Sequence, residues 1–432
     1  MTRLTARLIV ALLAAVWPSS TIAAQTVTAI RAGRLVDVEK GELRRDQLIL
    51  VRGDHIESVQ PGSAKIPAGA RVIDLSRYTV LPGLIDCHTH LIGDAQAADV
   101  LLPLERSEAQ EAFSGVRNAR ATLLAGFTTV RDVGTYRAFV DAALRDAIND
   151  GSVVGPRMKV AGAYVTVSTG GGELSGAAPD VTLPAAFRFG VANSADQVRE
   201  RVRALLNGGA DFIKVIATGA VFTRGTKPGV SEFTEEQIRA AVEQAAEYGT
   251  WVAAHAHGAE GIKRAVRAGV RSIEHGSLLD DEAIALMKQR GTWLVADIWN
   301  GDYTDSVGRE QKWPADILRK NAETTETQRA GFRKALAAGV KMAYGTDSGI
   351  YPHGLNAMQL PYMVKHGMTP MQAVRSATIS AAELMQWQDS VGSLKPGKYA
   401  DIIAVPGDGL DDLRSFMKVA FVMKGGTIYK SP

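Results

Sequence analysis

Six side chains able to bind metal, His88, His90, Lys214, His255, His275 and Asp347, each stand just after a short apolar run. Imidazole nitrogen and carboxylate oxygen are the ligands of a catalytic divalent metal that must also keep a position open for a reactive water. Their spread along the chain implies a site assembled at the mouths of several strands. In Pro82-Gly83-Leu84-Ile85-Asp86-Cys87-His88-Thr89-His90, the two histidines lie two residues apart at a strand end. The two-residue period of an extended chain points both imidazoles to one side, where they can share a metal. Any one of these histidines alone reads as a core residue with both nitrogens satisfied; the joint placement argues for a common site. Lys214 has apolar residues on both sides, which denies it the easy access to water of a snorkelling lysine.

The elements that must position these residues follow a repeated pattern between about Ser114 and Met385: an amphipathic helical stretch, a glycine, an apolar run of strand length, then a polar residue. The expected helices are Ser114–Ala125, Ala195–Asn207, one opened by Thr234 with Gln237 at capping-box spacing, Ala259–Ala268, Asp281–Arg290 and Glu326–Ala338. Glycine recurs at their ends because the residue closing a helix often enters the left-handed region. The expected strands are Val80–Ile85, Phe127–Val130, Met158–Ala161, Phe212–Ile216, Trp251–Ala254, the run reaching His275, Thr292–Ala296 and Val340–Tyr344. They are continuous apolar runs, as strands covered on both faces are. Eight such strands alternating with helices predict an α/β fold, a closed (β/α)8 TIM-type barrel over 81–391 with its site at the carboxyl ends of the strands. The flanks 25–80 and 392–432 carry short Val- and Ile-rich alternations broken by glycines, which predicts a small β-sandwich domain built from both chain ends.

The chain has 432 residues, 46% hydrophobic and 22% charged, enough for a large buried core. Its net charge of +3 is small and its acidic and basic residues are interspersed, so it carries no electrostatic footprint for nucleic acid. Arg3 and Arg7 precede the apolar run Leu8–Trp17 and then small residues ending at Ala23 and Ala24, the pattern of a cleavable export signal over 1–24. That run is shorter than the ~20 apolar residues of a spanning helix. The expectation is an exported protein, periplasmic or secreted, with no membrane association after signal removal. A single cysteine, Cys87, excludes an internal disulfide and a cysteine zinc cluster. The glycine-rich loop Ser168–Gly176 lacks the Gly-Lys-Ser/Thr ending of a phosphate-binding loop.

On the segment Pro82–His90 the chain resembles the metal-dependent amidohydrolase superfamily, and the resemblance extends over nearly the whole chain after the leader. Lys214, in Asp211-Phe212-Ile213-Lys214-Val215, is similar to the position where binuclear members carry a carboxylated lysine. His255 in Ala254-His255-Ala256-His257, His275 in Glu274-His275-Gly276 and Asp347 in Gly345-Thr346-Asp347 match the later ligands. The resemblance implies two divalent metal ions bridged by N6-carboxylysine at Lys214. One would take His88, His90, Lys214 and Asp347, the other Lys214, His255 and His275. Zinc suits a set dominated by imidazole. A hydroxide between the cations would attack an amide carbonyl, with Asp347 as general acid and base. His257 is a second catalytic candidate, either touching substrate or orienting the neighbouring ligand. Arg224 offers a bidentate partner for a substrate carboxylate, and Tyr351 and His353, near strand ends, are further candidate substrate contacts.

Val252–Gly261 and Ser272–Gly276 are similar to the imidazolonepropionase-like and Xaa-Pro dipeptidase-like branch, which includes ochratoxin-hydrolysing amidohydrolases. Many prolidase-like relatives carry a histidine in the glycine-rich loop after strand three; here Gly170-Gly171-Gly172-Glu173 stands. That departure favours a wider pocket for N-acyl amino acids or dipeptides with a free carboxylate, ochratoxin A among them, over strict Xaa-Pro dipeptidase activity. A lactonase or phosphotriesterase on the same metals is the alternative chemistry. The full ligand set disfavours a non-catalytic scaffold, and Lys214 disfavours a mononuclear deaminase. The resemblance further implies a small-molecule amide as partner and a symmetric homo-oligomer, up to an octamer.

Overall fold

A computed structural model describes residues 27–93, 99, 101–178 and 180–432; the expected leader over 1–24 lies outside the described residues. The Val- and Ile-rich start of this region forms β1 (Val27–Asp37), β2 (Glu42–Arg52), β3 (His55–Pro61) and β4 (Arg71–Pro82). β4 stops at Pro82 and β5 (Leu84–Thr89) begins beyond Gly83. The expected strand Val80–Ile85 is therefore two, because a proline cannot donate to a continuing ladder. Gly83 lets the backbone pass Thr128, whose Oγ1 would lie 2.1 Å from a Cβ placed there.

The apolar runs of the middle region become parallel strands. β5, β6 (Phe127–Asp132) and β7 (Arg157–Val160) form one sheet. β8 (Tyr164–Val165), β9 (Ile213–Ile216), β10 (Val252–Gly258), β11 (Ser272–Leu278) and β12 (Trp293–Val295) form another. The expected eighth strand, Val340–Tyr344, makes only an isolated bridge between Met342 and Leu294. Backbone bonds flank it on both sides all the same: Ala343 N–H donates to Leu294 O at 3.1 Å and Cys87 N–H to Tyr344 O at 2.9 Å. The ring of eight is thus met in part, as sheets of three and five strands in place of one closed ladder. The layer between these strands and the helices holds the largest apolar cluster, in which Ile213, Val215, Ala254, Ile273 and Tyr344 are fully buried.

The chain end adds β13 (Ile402–Pro406), β14 (Phe421–Lys424) and β15 (Thr427–Lys430), which extend β4 into a seven-stranded sheet in the order β15-β14-β13-β4-β1-β2-β3. Both chain ends meet as expected, but in one sheet instead of two stacked ones. It curls on itself, since the β3 edge returns to the segment leading into β13: Ile56 N–H donates to Lys398 O at 2.8 Å and Gly397 N–H to Ile56 O at 2.9 Å.

The helices Ala195–Asn207, Ala259–Ala268 and Asp281–Arg290 have the expected bounds. Thr234 caps its helix with Gln237 in a reciprocal box, satisfying donors that a helix start leaves open. The helix expected from Ser114 starts earlier, at Glu108, because Ser107 and Gln110 build a second capping box. One differs more: Glu326–Ala338 is the second half of the helix Ala315–Ala338, and a helix Asn300–Glu310 that was not expected precedes it. No helix among the described residues is long and apolar enough to cross a membrane.

Candidate active site

A cavity of about 200 Å³ is lined by His88, His90, Lys214, His255, His275 and Asp347, the six residues singled out by their positions after apolar runs, and by His257. β5, β9, β10 and β11 carry all of them except His90 and Asp347, the latter following the Val340–Tyr344 segment. His90 lies one residue past β5. Gly345 is required where that segment passes β5, since a Cβ there would stand 2.2 Å from Val295 and 2.9 Å from the Cβ of His88. Asp347 N–H then donates to His88 O at 2.8 Å. Asp347 and His275 both hold left-handed backbone, with φ of 57° and 69°, a strained geometry for residues with a Cβ that surrounding contacts must enforce. For Asp347 those contacts include the buried Asp86 carboxylate, which accepts from Thr346 N–H at 3.1 Å, Thr346 Oγ1 at 2.6 Å and Asn356 Nδ2 at 2.9 Å.

Each key imidazole is held by one nitrogen so that the other is aimed. His88 Nδ1 lies 2.8 Å from Glu274 Oε2, and its Nε2 lies 3.4 Å from Asp347 Oδ1. His90 Nδ1 sits 2.9 Å from Gly134 O, and its Nε2 reaches the same Asp347 oxygen at 3.3 Å. His275 Nδ1 is 3.1 Å from Asp297 Oδ1. Anchoring of one ring nitrogen by a carboxylate or carbonyl fixes the tautomer and orientation of a metal-binding histidine. The ring centroids of His255 and His275 are 4.6 Å apart, as are those of His255 and His257. His257 Nδ1 is engaged by Ser277 Oγ at 2.7 Å.

Beneath the candidate ligands lies a buried ion pair. Arg131 Nη2 meets Glu274 Oε1 at 2.7 Å, while its Nε donates to Cys87 O at 2.6 Å and its Nη1 to Ser272 Oγ at 3.0 Å. Burial opposes ionisation of Glu274, but the charge of Arg131 and the bond to His88 outweigh it and hold the carboxyl far below its usual range. Glu274 can therefore present a permanent acceptor to His88.

Burial, then the neighbouring His257 and His275, pushes His255 well below the usual imidazole range; burial and His275 push His257 down to about 3. Burial likewise lowers Lys214 to about 8. Burial works against the charge of Asp347, yet hydrogen bonds with His88 and His90 keep its carboxyl well below the ordinary value. Burial also lowers His88, whereas the carboxylates facing His90 (Asp347, Asp132) and His275 (Asp297, Asp347) overcome burial and raise both rings. His88, His255 and His257 thus offer neutral imidazoles beside the ionised Asp347, the protonation states that metal ligation demands, while His90 and His275 sit against carboxylates that favour positive charge. Donor atoms of His88, His90 and Asp347 fall within 4.8 Å of one another, as do those of His275, Asp297 and Asp347. These residues fit divalent metal.

Three expected substrate contacts lie elsewhere. Arg224 is exposed, Tyr351 is fully buried, and neither they nor His353 line the cavity. Tyr351 spends its hydroxyl on Thr346 O at 3.0 Å, and His353 Nε2 lies 3.1 Å from His90 O, so both brace the ligand loops. Asp297 is not among the expected site residues, although it follows the apolar run Thr292–Ala296 and satisfies the same positional rule as the candidate ligands. Asn300 and Gln328, whose amide nitrogens reach Asp297 at 3.0 and 2.8 Å, are likewise outside the expected set; nothing in the local sequence marks a helical amide as part of a site.

Comparisons with known proteins agree with this geometry. The amidohydrolase family model matches residues 79–429. An ochratoxinase of Aspergillus niger is 32% identical over 440 aligned residues, covering 94% of this chain and 87% of the relative. An imidazolonepropionase of Geobacillus sp. (strain WCH70) is 24% identical, covering 82% and 79%. Among solved structures, a Xaa-Pro dipeptidase with methionine bound in its active site superposes with a TM-score of 0.87 at 37% identity, covering 94% of this chain and all of that one. With the family model spanning most of the sequence and the candidate ligands gathered in one cavity, the chain belongs to the amidohydrolase family and is a hydrolase of amide bonds.

Proposed function

We propose that the chain is a binuclear metal-dependent hydrolase of N-acyl amino acids and dipeptides with a free carboxylate, ochratoxin A among its substrates. The observation that carries this reading is the convergence of His88 Nε2 and His90 Nε2 on one oxygen of Asp347, at 3.4 and 3.3 Å, with Lys214, His255 and His275 lining the same cavity. His88, His90 and Asp347 would hold one cation, His255 and His275 the other, and Lys214 would bridge them as its carbamate. Burial lowers the Lys214 amine to about 8, so a usable fraction is the neutral nucleophile that adds carbon dioxide. Two divalent cations bound there supply the Lewis acidity that activates water and polarises a carbonyl. Asp347, held ionised by its two histidines, takes the proton of the attacking water and returns it to the leaving nitrogen. The similarity to an ochratoxinase and to a Xaa-Pro dipeptidase supports an amide with a carboxylate-bearing leaving group. The two parallel sheets, hydrogen-bonded through the Val340–Tyr344 segment, fit a (β/α)8 barrel, with metals at its carboxyl rim.

Incubating the purified chain with N-acyl amino acids, Xaa-Pro and other dipeptides, and matched esters tests the reading. Released free amino acid, lost on chelation and restored by zinc, is the expected result. Intact-mass analysis of a Lys214-containing peptide under non-acidic conditions should find the added mass of one carbon dioxide. Turnover of esters alone, or activity indifferent to chelators, would refute it.

A further inference from the structure

Part of the cavity wall comes from helices instead of strand ends. Asn300 and Thr304 of the helix Asn300–Glu310, with Asn321, Thr324, Thr325 and Gln328 of the helix Ala315–Ala338, all line it. The spacing of the latter four puts them on one helical face. A buried helix face is ordinarily apolar; this one is polar and uncharged.

Most of its hydrogen-bond donors are already committed. Gln328 Nε2 donates to Asp297 Oδ1 at 2.8 Å and to His275 O at 3.3 Å. Asn300 Nδ2 donates to Asp297 Oδ2 at 3.0 Å and to Asp347 Oδ2 at 3.2 Å. Carbonyl and carboxylate partners only accept, so both amides are fixed in orientation, nitrogen toward the ligands. The Thr324 and Thr325 hydroxyls turn back to helix carbonyls at 2.9 and 2.7 Å. Oxygen is what remains. No donor among the described residues reaches Gln328 Oε1, and Asn300 Oδ1 receives only Thr304 Oγ1 at a long 3.4 Å. The acids Asp99 and Glu111 line the same cavity, and among its described lining residues Lys214 is the sole lysine or arginine. A group entering here must bring its own hydrogens, because a carboxylate or ether would leave acceptors facing acceptors in a largely desolvated place.

We propose that this helical wall is a subsite for a hydrogen-bond donor, so that the preferred amide carries a hydroxyl or amino group, on its acyl or its amine half, that donates to Gln328 Oε1. The subsite rests on the amide-hydrolase reading and narrows its substrate class. The carboxylate of the substrate is then bound away from this wall.

Two pairs of N-acyl amino acids test it on the metal-loaded full chain, one pair with hydroxyl or methoxy on the acyl half and one with the same exchange on the amine half. In at least one pair the hydroxyl member should be cleaved with kcat/KM about 10-fold higher. Gln328→Met should erase that ratio, and Gln328→Glu, which restores an acceptor oxygen, should keep it. Both variants lose the amide donor, so damage to Asp297 or His275 lowers both members of a pair alike and leaves the ratio unmoved. Inhibition constants of non-cleaved analogues, hydroxylated against methylated, should show the same pattern. A ratio near one in both pairs, or one that survives Gln328→Met, overturns the subsite while hydrolysis itself persists. No cleavage of any member overturns the underlying function and the subsite with it.

Discussion

Replacing Arg131 with methionine should destabilise the fold by about 3–5 kcal/mol, because Glu274 is then left as a buried charge without its cation. Both side chains are 0% exposed and meet at 2.7 Å. Methionine fills much of the same volume but donates nothing, so Cys87 O and Ser272 Oγ, bonded to the guanidinium at 2.6 and 3.0 Å, lose partners as well. Each orphaned acceptor adds about 1 kcal/mol or more. Glu274 keeps two donors, the Ser272 hydroxyl and His88 Nδ1, which holds the loss near that range instead of far above it. Adding Glu274→Gln removes the stranded charge, and the double variant should be more stable than the sum of the single losses by about 2 kcal/mol, as contacting partners are. Urea unfolding of the chelated chain is the measurement, since bound metal would add its own stabilisation by mass action. A single-variant loss under about 1 kcal/mol, or strict additivity, would refute a desolvated pair under the ligands.

Asp347→Asn should lower kcat by about 10²–10⁴ with the fold intact; a variant within a few-fold of the parent chain removes Asp347 from proton transfer. Gly345→Ala should cost about 2 kcal/mol or more and lower metal content, because its Cβ would meet Val295 at 2.2 Å and His88 at 2.9 Å; an unchanged melt would contradict that close approach. Burial raises the Glu232 carboxyl from 4.5 to about 7. The folded chain therefore binds this proton more tightly than the unfolded one between those values, and the group's contribution to stability falls as pH rises through that window. Glu232→Gln keeps an acceptor for Gly171 N–H, now bonded at 2.7 Å. It should flatten this part of the pH dependence and raise the melting temperature above about pH 7; an unaltered slope would show Glu232 to be solvated.

How much of this site could be read from sequence follows from how each contact is made. His88, His90, Lys214, His255, His275 and Asp347 were legible because a continuous apolar run followed by one polar residue is a local pattern, and parallel strands bring their carboxyl ends to one rim. Asp297 obeys the same pattern after Thr292–Ala296 and is legible in principle, although a carboxylate at a strand end is a less distinctive metal-site signal than an imidazole. The Arg131–Glu274 pair joins β6 to β11 across 143 positions, a separation over which no residue spacing carries information. The single curled sheet of the chain ends differs from the expected sandwich for a similar reason. Alternating strands specify an apolar face, while the partner of that face is fixed only by β4, which pairs with β1 between Arg71 and Val80 on one side and with β13 over Tyr78–Pro82 on the other. Asn300 and Gln328 were the least legible, since a helical amide is ordinarily a solvated surface group. Here each is turned inward by carboxylates brought from other elements, and that inward turn leaves their oxygens, not their nitrogens, to meet whatever enters the cavity.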